Sequence, residues 1–158
     1  EAGNTAITWA SIRGAQYTGA AAQTIKAGWT WLTGSGTDDV FASLSGVQAD
    51  TGAAVAARLE LGGESFVGTN LARGNEPIKG TFSFFVQHAE GDAFSQALST
   101  GSYAGQSGTL YVTQAPCGFC VSSISAAARS MGLSELTIST PEGVFGVYRP
   151  ATGLVRSP

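Results

Sequence analysis

Both cysteines of this 158-residue chain stand three apart, in the run Pro116-Cys117-Gly118-Phe119-Cys120. Two sulfurs at that spacing tie the surrounding backbone to one of three chemistries: a redox dithiol, part of a zinc site, or a small buried pair. The glycine between them suits a thioredoxin-like tetrad as well as a metal loop. A structural zinc site takes four ligands, and the chain holds no further cysteine and a single histidine. Three protein ligands with one position left open is instead the arrangement of a catalytic zinc. The histidine therefore decides among the readings.

That residue, His88, stands in His88-Ala89-Glu90, upstream of the cysteines. H-x-E followed by P-C-x-x-C is the signature of the zinc deaminases. The only histidine and both cysteines fall into its register. Cys117 and Cys120, opening one helix, turn both sulfurs to the same side of its first turn. Exposed N–H groups and the helix dipole favour thiolate there, the form that binds zinc. His88 adds a neutral imidazole nitrogen from a second helix. Glu90 stays off the metal and moves protons between the activated water and the base.

The order of elements agrees with such a site. Thr37 caps a short helix over 37–44, with Asp38 and Asp39 in its first turn. Residues 53–61 and 65–71 read as strands joined at Gly62-Gly63, with Val55, Leu59 and Leu61 at alternating positions. The run 80–87, GTFSFFVQ, reads as an apolar loop in preference to a third strand, with Phe84 and Phe85 either filling the core, the favoured reading, or lining the mouth of a pocket. Residues 88–99 are helical, with Ala89, Phe94, Ala97 and Leu98 near helical spacing. A strand over 109–113 precedes a helix over 117–131, which Pro116 opens and Gly132 closes. Strands over 136–140 and 143–150 follow. Strands alternating with helices predict an α/β fold, a central mixed sheet of about five strands with helices on its faces. Residues 1–36, rich in Ala and Gly and carrying Trp9, Trp29 and Trp31, read as a helical appendage to a domain over 37–158.

The chain resembles the zinc-dependent cytidine deaminase-like superfamily over roughly its last two thirds. Within it, the chain is most similar to the DddA-like toxin deaminases of bacteria, which convert cytosine to uracil in DNA. The stretches that carry the resemblance are HAEG at 88–91, CGFCV at 117–121, PEG at 141–143 and ATG at 151–153. The resemblance implies a Zn2+ cofactor held by His88, Cys117 and Cys120, with Glu90 as proton shuttle. It also implies that the Ala89 backbone meets the carbonyl of the base, and that the Ala115-Pro116 turn faces its exocyclic amine. Phe119 either stacks on a base or fills the core. Further implications are DNA as substrate, single or double stranded, a cognate immunity protein over the pocket, and a monomeric effector domain delivered into a target cell's cytoplasm. A free cytidine or deoxycytidine deaminase is the alternative within the same chemistry, and a CxxC redox protein the alternative outside it.

Composition sets limits on these readings. Hydrophobic residues make up 43% and charged ones 12%, enough apolar material for one buried core. No stretch approaches the roughly 20 apolar residues of a membrane span. The chain opens on Glu1, not Met, and reads as a piece of something longer. A net charge of −3 argues against a strong nonspecific hold on nucleic acid. Phosphate contacts would have to be local: Lys79, Arg129, Arg149 and Arg156 lie in the C-terminal half and either converge or are scattered, solvated charges.

Overall fold

The computed structural model describes residues 37–71 and 74–158; the appendage expected over 1–36 lies outside the described residues. In chain order the elements are α1 (Thr37–Thr51), β1 (Ala56–Leu61), β2 (Glu64–Thr69), a 3-10 turn (Phe85–Gln87), α2 (Ala89–Thr100), β3 (Ser107–Val112), α3 (Gly118–Ser130), β4 (Glu135–Thr140), β5 (Gly143–Arg149) and β6 (Gly153–Arg156). The strands form one mixed sheet in the order β2-β1-β3-β4-β5-β6. β3 and β4 run parallel, and every other neighbouring pair is antiparallel. A parallel pair needs a crossover connection, and α3 supplies it.

Period-two alternation divides the core. Ala57, Leu59 and Leu61 of β1 face α2 and α3, with Leu110, Leu136, Ile138 and Tyr148 on the same side of the sheet. Ala56 and Val67 point the other way, against Val40, Leu44 and Val47 of α1. The sheet is thus covered on both faces, as the α/β reading requires. The Gly62-Gly63 hairpin forms as expected. Both glycines have positive φ, 54° and 84°, the primed turn that matches strand twist and that side chains with a Cβ resist.

Beyond shifts of a few residues at strand ends, three features differ from the sequence reading. α1 continues to Thr51 because Val47 extends its buried stripe one turn past Leu44. The sheet has six strands, not about five: β6 has four residues, two of them exposed, and lacks an apolar pattern. Backbone pairing to β5, not side-chain burial, makes it a strand. The third difference lies in the loop before α2. Phe85 is fully buried, whereas Phe84 is 62% exposed, so the 3-10 turn sends the two rings in opposite directions. No helix among the described residues is long and apolar enough to cross a membrane.

Candidate active site

Two helix N-termini meet beside the C-terminal end of β3. His88 is the N-cap of α2 (φ −85°, ψ 157°), and its N–H donates to Phe85 O at 2.9 Å, closing the 3-10 turn. That turn sits tightly on α2, since a Cβ on Gly91 would collide with the Phe85 carbonyl. Asp92 secures it from behind. Its Oδ2 accepts from Thr69 N at 3.0 Å, and its Oδ1 accepts from Asn75 Nδ2 at 2.9 Å. The same Asn75 amide donates to Val86 O at 3.2 Å. One buried carboxylate thus joins the end of β2, the following loop and the turn that aims the histidine.

Cys117 is the N-cap of α3, and its Sγ accepts from Cys120 N at 3.4 Å. At the other end, Gly132 (φ 70°) closes the helix. Gly132 N donates to Arg129 O, and Leu133 N donates to Ala128 O. The helix is therefore fixed at both ends, and its first turn carries the sulfurs. Cys117 is exposed and Cys120 is 2% exposed.

The three residues named from the sequence converge. His88 Nδ1 lies 3.0 Å from Cys120 Sγ, and the two sulfurs are 3.0 Å apart. All three donor atoms fall within 4.8 Å of one another, the one such cluster among the described residues. Nitrogen and two sulfurs form a donor set that zinc accepts, at about 2.0–2.1 Å to nitrogen and about 2.3 Å to sulfur. Burial pushes the Cys120 thiol well up, and neighbouring Glu90 and Cys117 push it further, so the thiolate expected from the helix N-terminus is not favoured at Cys120 by the protein alone. A bound cation would invert that local balance. The residues present therefore fit a zinc ion, held by His88, Cys117 and Cys120.

Glu90 lies beside this cluster, 4% exposed, close to Cys120 and His88. Burial raises its pKa above the ordinary carboxyl value, more than the backbone contact and His88 lower it. A carboxyl poised to hold a proton, next to a metal-binding set without being part of it, is equipped for general acid–base work.

An open cleft of about 570 Å³ leads to these groups. His88, Ala89, Glu90, Cys117 and Cys120 line its floor. Phe82, Phe84 and Phe119 line it from one side, and Val55, Asn70, Gln114 and Ala115 also border it. Phe119 is 73% exposed, so the core alternative for this ring does not hold. Phe82 stands edge-on to His88, centroids 5.5 Å apart, and 5.7 Å from Phe119. Ala115 borders the cleft as expected, while Pro116 is buried and outside its lining. PEG and ATG form the β4–β5 and β5–β6 turns, and neither borders the cleft. Sequence reasoning missed Phe82, Asn70 and Gln114 at the cleft and Asp92 behind it. Only the acidic residue close after Glu90 offered a signal.

The MafB19-like deaminase family model matches residues 40–149. The chain belongs to the MafB19-like deaminase family. The matched span takes in most of α1, every strand through β5, and all four of His88, Glu90, Cys117 and Cys120. No curated protein and no solved structure gives a significant match. As a MafB19-like deaminase the chain is a hydrolytic enzyme, and the cluster of His88, Cys117 and Cys120 is compatible with zinc.

Proposed function

We propose that this deaminase is a zinc-dependent DNA cytosine deaminase and the toxin domain of a secreted bacterial effector. One observation carries the substrate reading. Glu90 and the histidine–cysteine cluster lie at the floor of an open cleft rimmed by exposed aromatic rings. A flat, stackable base is the ligand such a rim suits, at about 1–3 kcal/mol per stacked base. The HAEG, CGFCV, PEG and ATG segments support DNA as the source of that base, by resemblance to the DddA-like toxins.

A zinc ion held by His88, Cys117 and Cys120 would supply an activated, more acidic water to the reaction. Glu90 takes a proton from that water and delivers it to the ring nitrogen of cytosine. After attack at C4 it protonates the departing amine, so cytosine and water give uracil and ammonia. The Ala89 backbone and the Ala115 turn hold the carbonyl and amine edges of the base. By the same resemblance the domain acts in a target cell's cytoplasm, and a cognate immunity protein covers the cleft.

A free cytidine or deoxycytidine deaminase is the second reading, favoured by the net charge of −3. Incubating the protein with free deoxycytidine and with single- and double-stranded oligonucleotides, then measuring uracil, separates them. Uracil is expected in oligonucleotides; turnover of the free nucleoside alone would sink the DNA reading.

A further inference from the structure

The segment between the β2 loop and the 3-10 turn lies along one stripe of α3. Ser130 Oγ donates to Lys79 O at 3.2 Å, Gly80 packs over Ala126, and Phe82 N donates to Ser123 Oγ at 3.1 Å. Phe82 then meets Phe119 at the mouth of the catalytic cleft. Positions 130, 126, 123 and 119 follow helical spacing, so the track is continuous from the far end of α3 to the site.

At that far end, Lys79, Gly80, Ala126, Arg129 and Ser130 line a second open cleft, of about 610 Å³. The backbone at Lys79 and the side chain of Arg129 are held in place. Lys79 sits at the tip of a turn in which Thr81 N and Oγ1 both donate to Ile78 O, and Ile78 is buried in the core. Gly80 adopts φ 87°, the left-handed conformation this turn needs. Arg129 donates one N–H to Pro150 O at 3.2 Å, and its guanidinium lies 5.8 Å from the centre of the Tyr148 ring. That leaves most of its five donors directed elsewhere.

The remaining charges make this pair distinctive. Among the described cations, Arg58 pairs with Glu60 at 2.6 Å and Arg149 with Glu135 at 2.9 Å. Arg156 lies over the Phe145 ring at 4.7 Å. Lys79 and Arg129 share a cleft without a carboxylate partner among the described residues. Of the four basic residues of the C-terminal half, two converge and two do not.

We propose that the Lys79–Arg129 cleft binds the backbone phosphates of a polynucleotide whose target base occupies the catalytic cleft. It rests on the polynucleotide reading above. Ten residues of α3 separate Phe119 from Arg129, about 15 Å at 1.5 Å per residue. Measured along the axis of a B-form duplex, that distance covers about four phosphates of one strand, at roughly 3.4 Å of axial rise each. A free nucleoside cannot reach both clefts; a strand can. The cleft thus supplies locally the positive charge that the acidic chain lacks overall.

The test uses the full chain and a fluorescent, cytosine-free oligothymidylate, so that binding is read without turnover. Anisotropy titrations across a salt series compare wild type with Lys79→Ala/Arg129→Ala, Lys79→Arg/Arg129→Lys and Arg156→Ala. Thermal melting and metal content confirm that each variant is folded. The double alanine variant is expected to raise Kd on the order of 10-fold at 50 mM salt. It should also flatten the slope of log K against log salt by about 1.4, two contacts at roughly 0.7 each for a single strand. The charge-keeping variant should retain most of the binding, and Arg156→Ala should change it little. Unchanged affinity and slope in the double alanine variant overturn the proposal. So does an absence of oligothymidylate binding by wild type, or a cleft that serves an acidic protein instead. Uracil formation in a cytosine-containing oligonucleotide is scored separately. If it occurs while binding ignores the two cations, the cleft fails and the DNA reading stands. If no oligonucleotide is deaminated, the DNA reading itself fails.

Discussion

Glu90 illustrates how one side chain takes its chemistry from its surroundings. Its carboxyl is buried next to Cys120, and burial makes the proton harder to remove. Glu90→Gln keeps the shape and removes the titration. It is expected to lower deamination by at least about 10²–10⁴-fold, the usual worth of a positioned acid–base group, while retaining the metal; kinetics with metal analysis on the same sample check this. The same variant has a second readout in the zinc-free protein. The folded chain there holds the Glu90 proton more tightly than the unfolded chain does. Glu90's contribution is therefore fully present below its ordinary value of 4.5 and is lost as pH rises through the raised one. Denaturant unfolding of chelator-treated protein should show that loss in wild type, and Glu90→Gln should lack it.

Among the elements, the turn that carries His88 depends on Asp92 more than on anything in its own sequence. Phe85–Gln87 is a single 3-10 turn, too short to hold itself. Its position comes from Gly91, which lets the Phe85 carbonyl approach α2, and from the Asp92–Asn75–Val86 connection. Asp92→Ala would leave Thr69 N–H buried without its acceptor, at about 1–3 kcal/mol. The expected outcome is a destabilised protein whose metal affinity also falls, because the turn before His88 loses its tie. Denaturant unfolding and competition with a chromophoric chelator measure the two effects. An unchanged metal affinity in a destabilised variant would confine Asp92 to holding the fold.

For the molecule as a whole, the histidine–cysteine cluster joins two halves of the sheet. His88 enters from α2, packed on β1 and β2, and the cysteines from α3, which crosses from β3 to β4. A ligand bound only by the folded state stabilises it by mass action, about 2.7 kcal/mol at a free concentration 100 times Kd. About one zinc per chain is expected by metal analysis. Its removal by a chelator should lower the melting temperature and expose Cys117 to thiol reagents first, because Cys117 is exposed and Cys120 is buried. A metal-free protein with a reversible Cys117–Cys120 disulfide would instead support the dithiol reading.

Much of this protein was legible in one dimension. The convergence of His88, Glu90, Cys117 and Cys120 on one cleft was legible because the H-x-E and P-C-x-x-C patterns set particular residue types at short, fixed spacings. The hairpin at Gly62-Gly63, the two helices of the site and the strands β3 to β5 follow from local periodicity and turn chemistry, which act over a few residues. Tertiary structure alone decided the rest. Phe84 and Phe85 are adjacent and identical, and only the direction of a turn held from outside sends one ring to the cleft and the other to the core. β6 exists because β5 offers it hydrogen bonds, not because its residues are apolar. Asp92, Asn70 and Gln114 belong to the site, and Lys79 meets Arg129, through contacts between segments far apart in the chain. Residue types and spacings encode the chemistry that a short stretch can perform; which distant side chains surround it depends on packing that no short stretch contains.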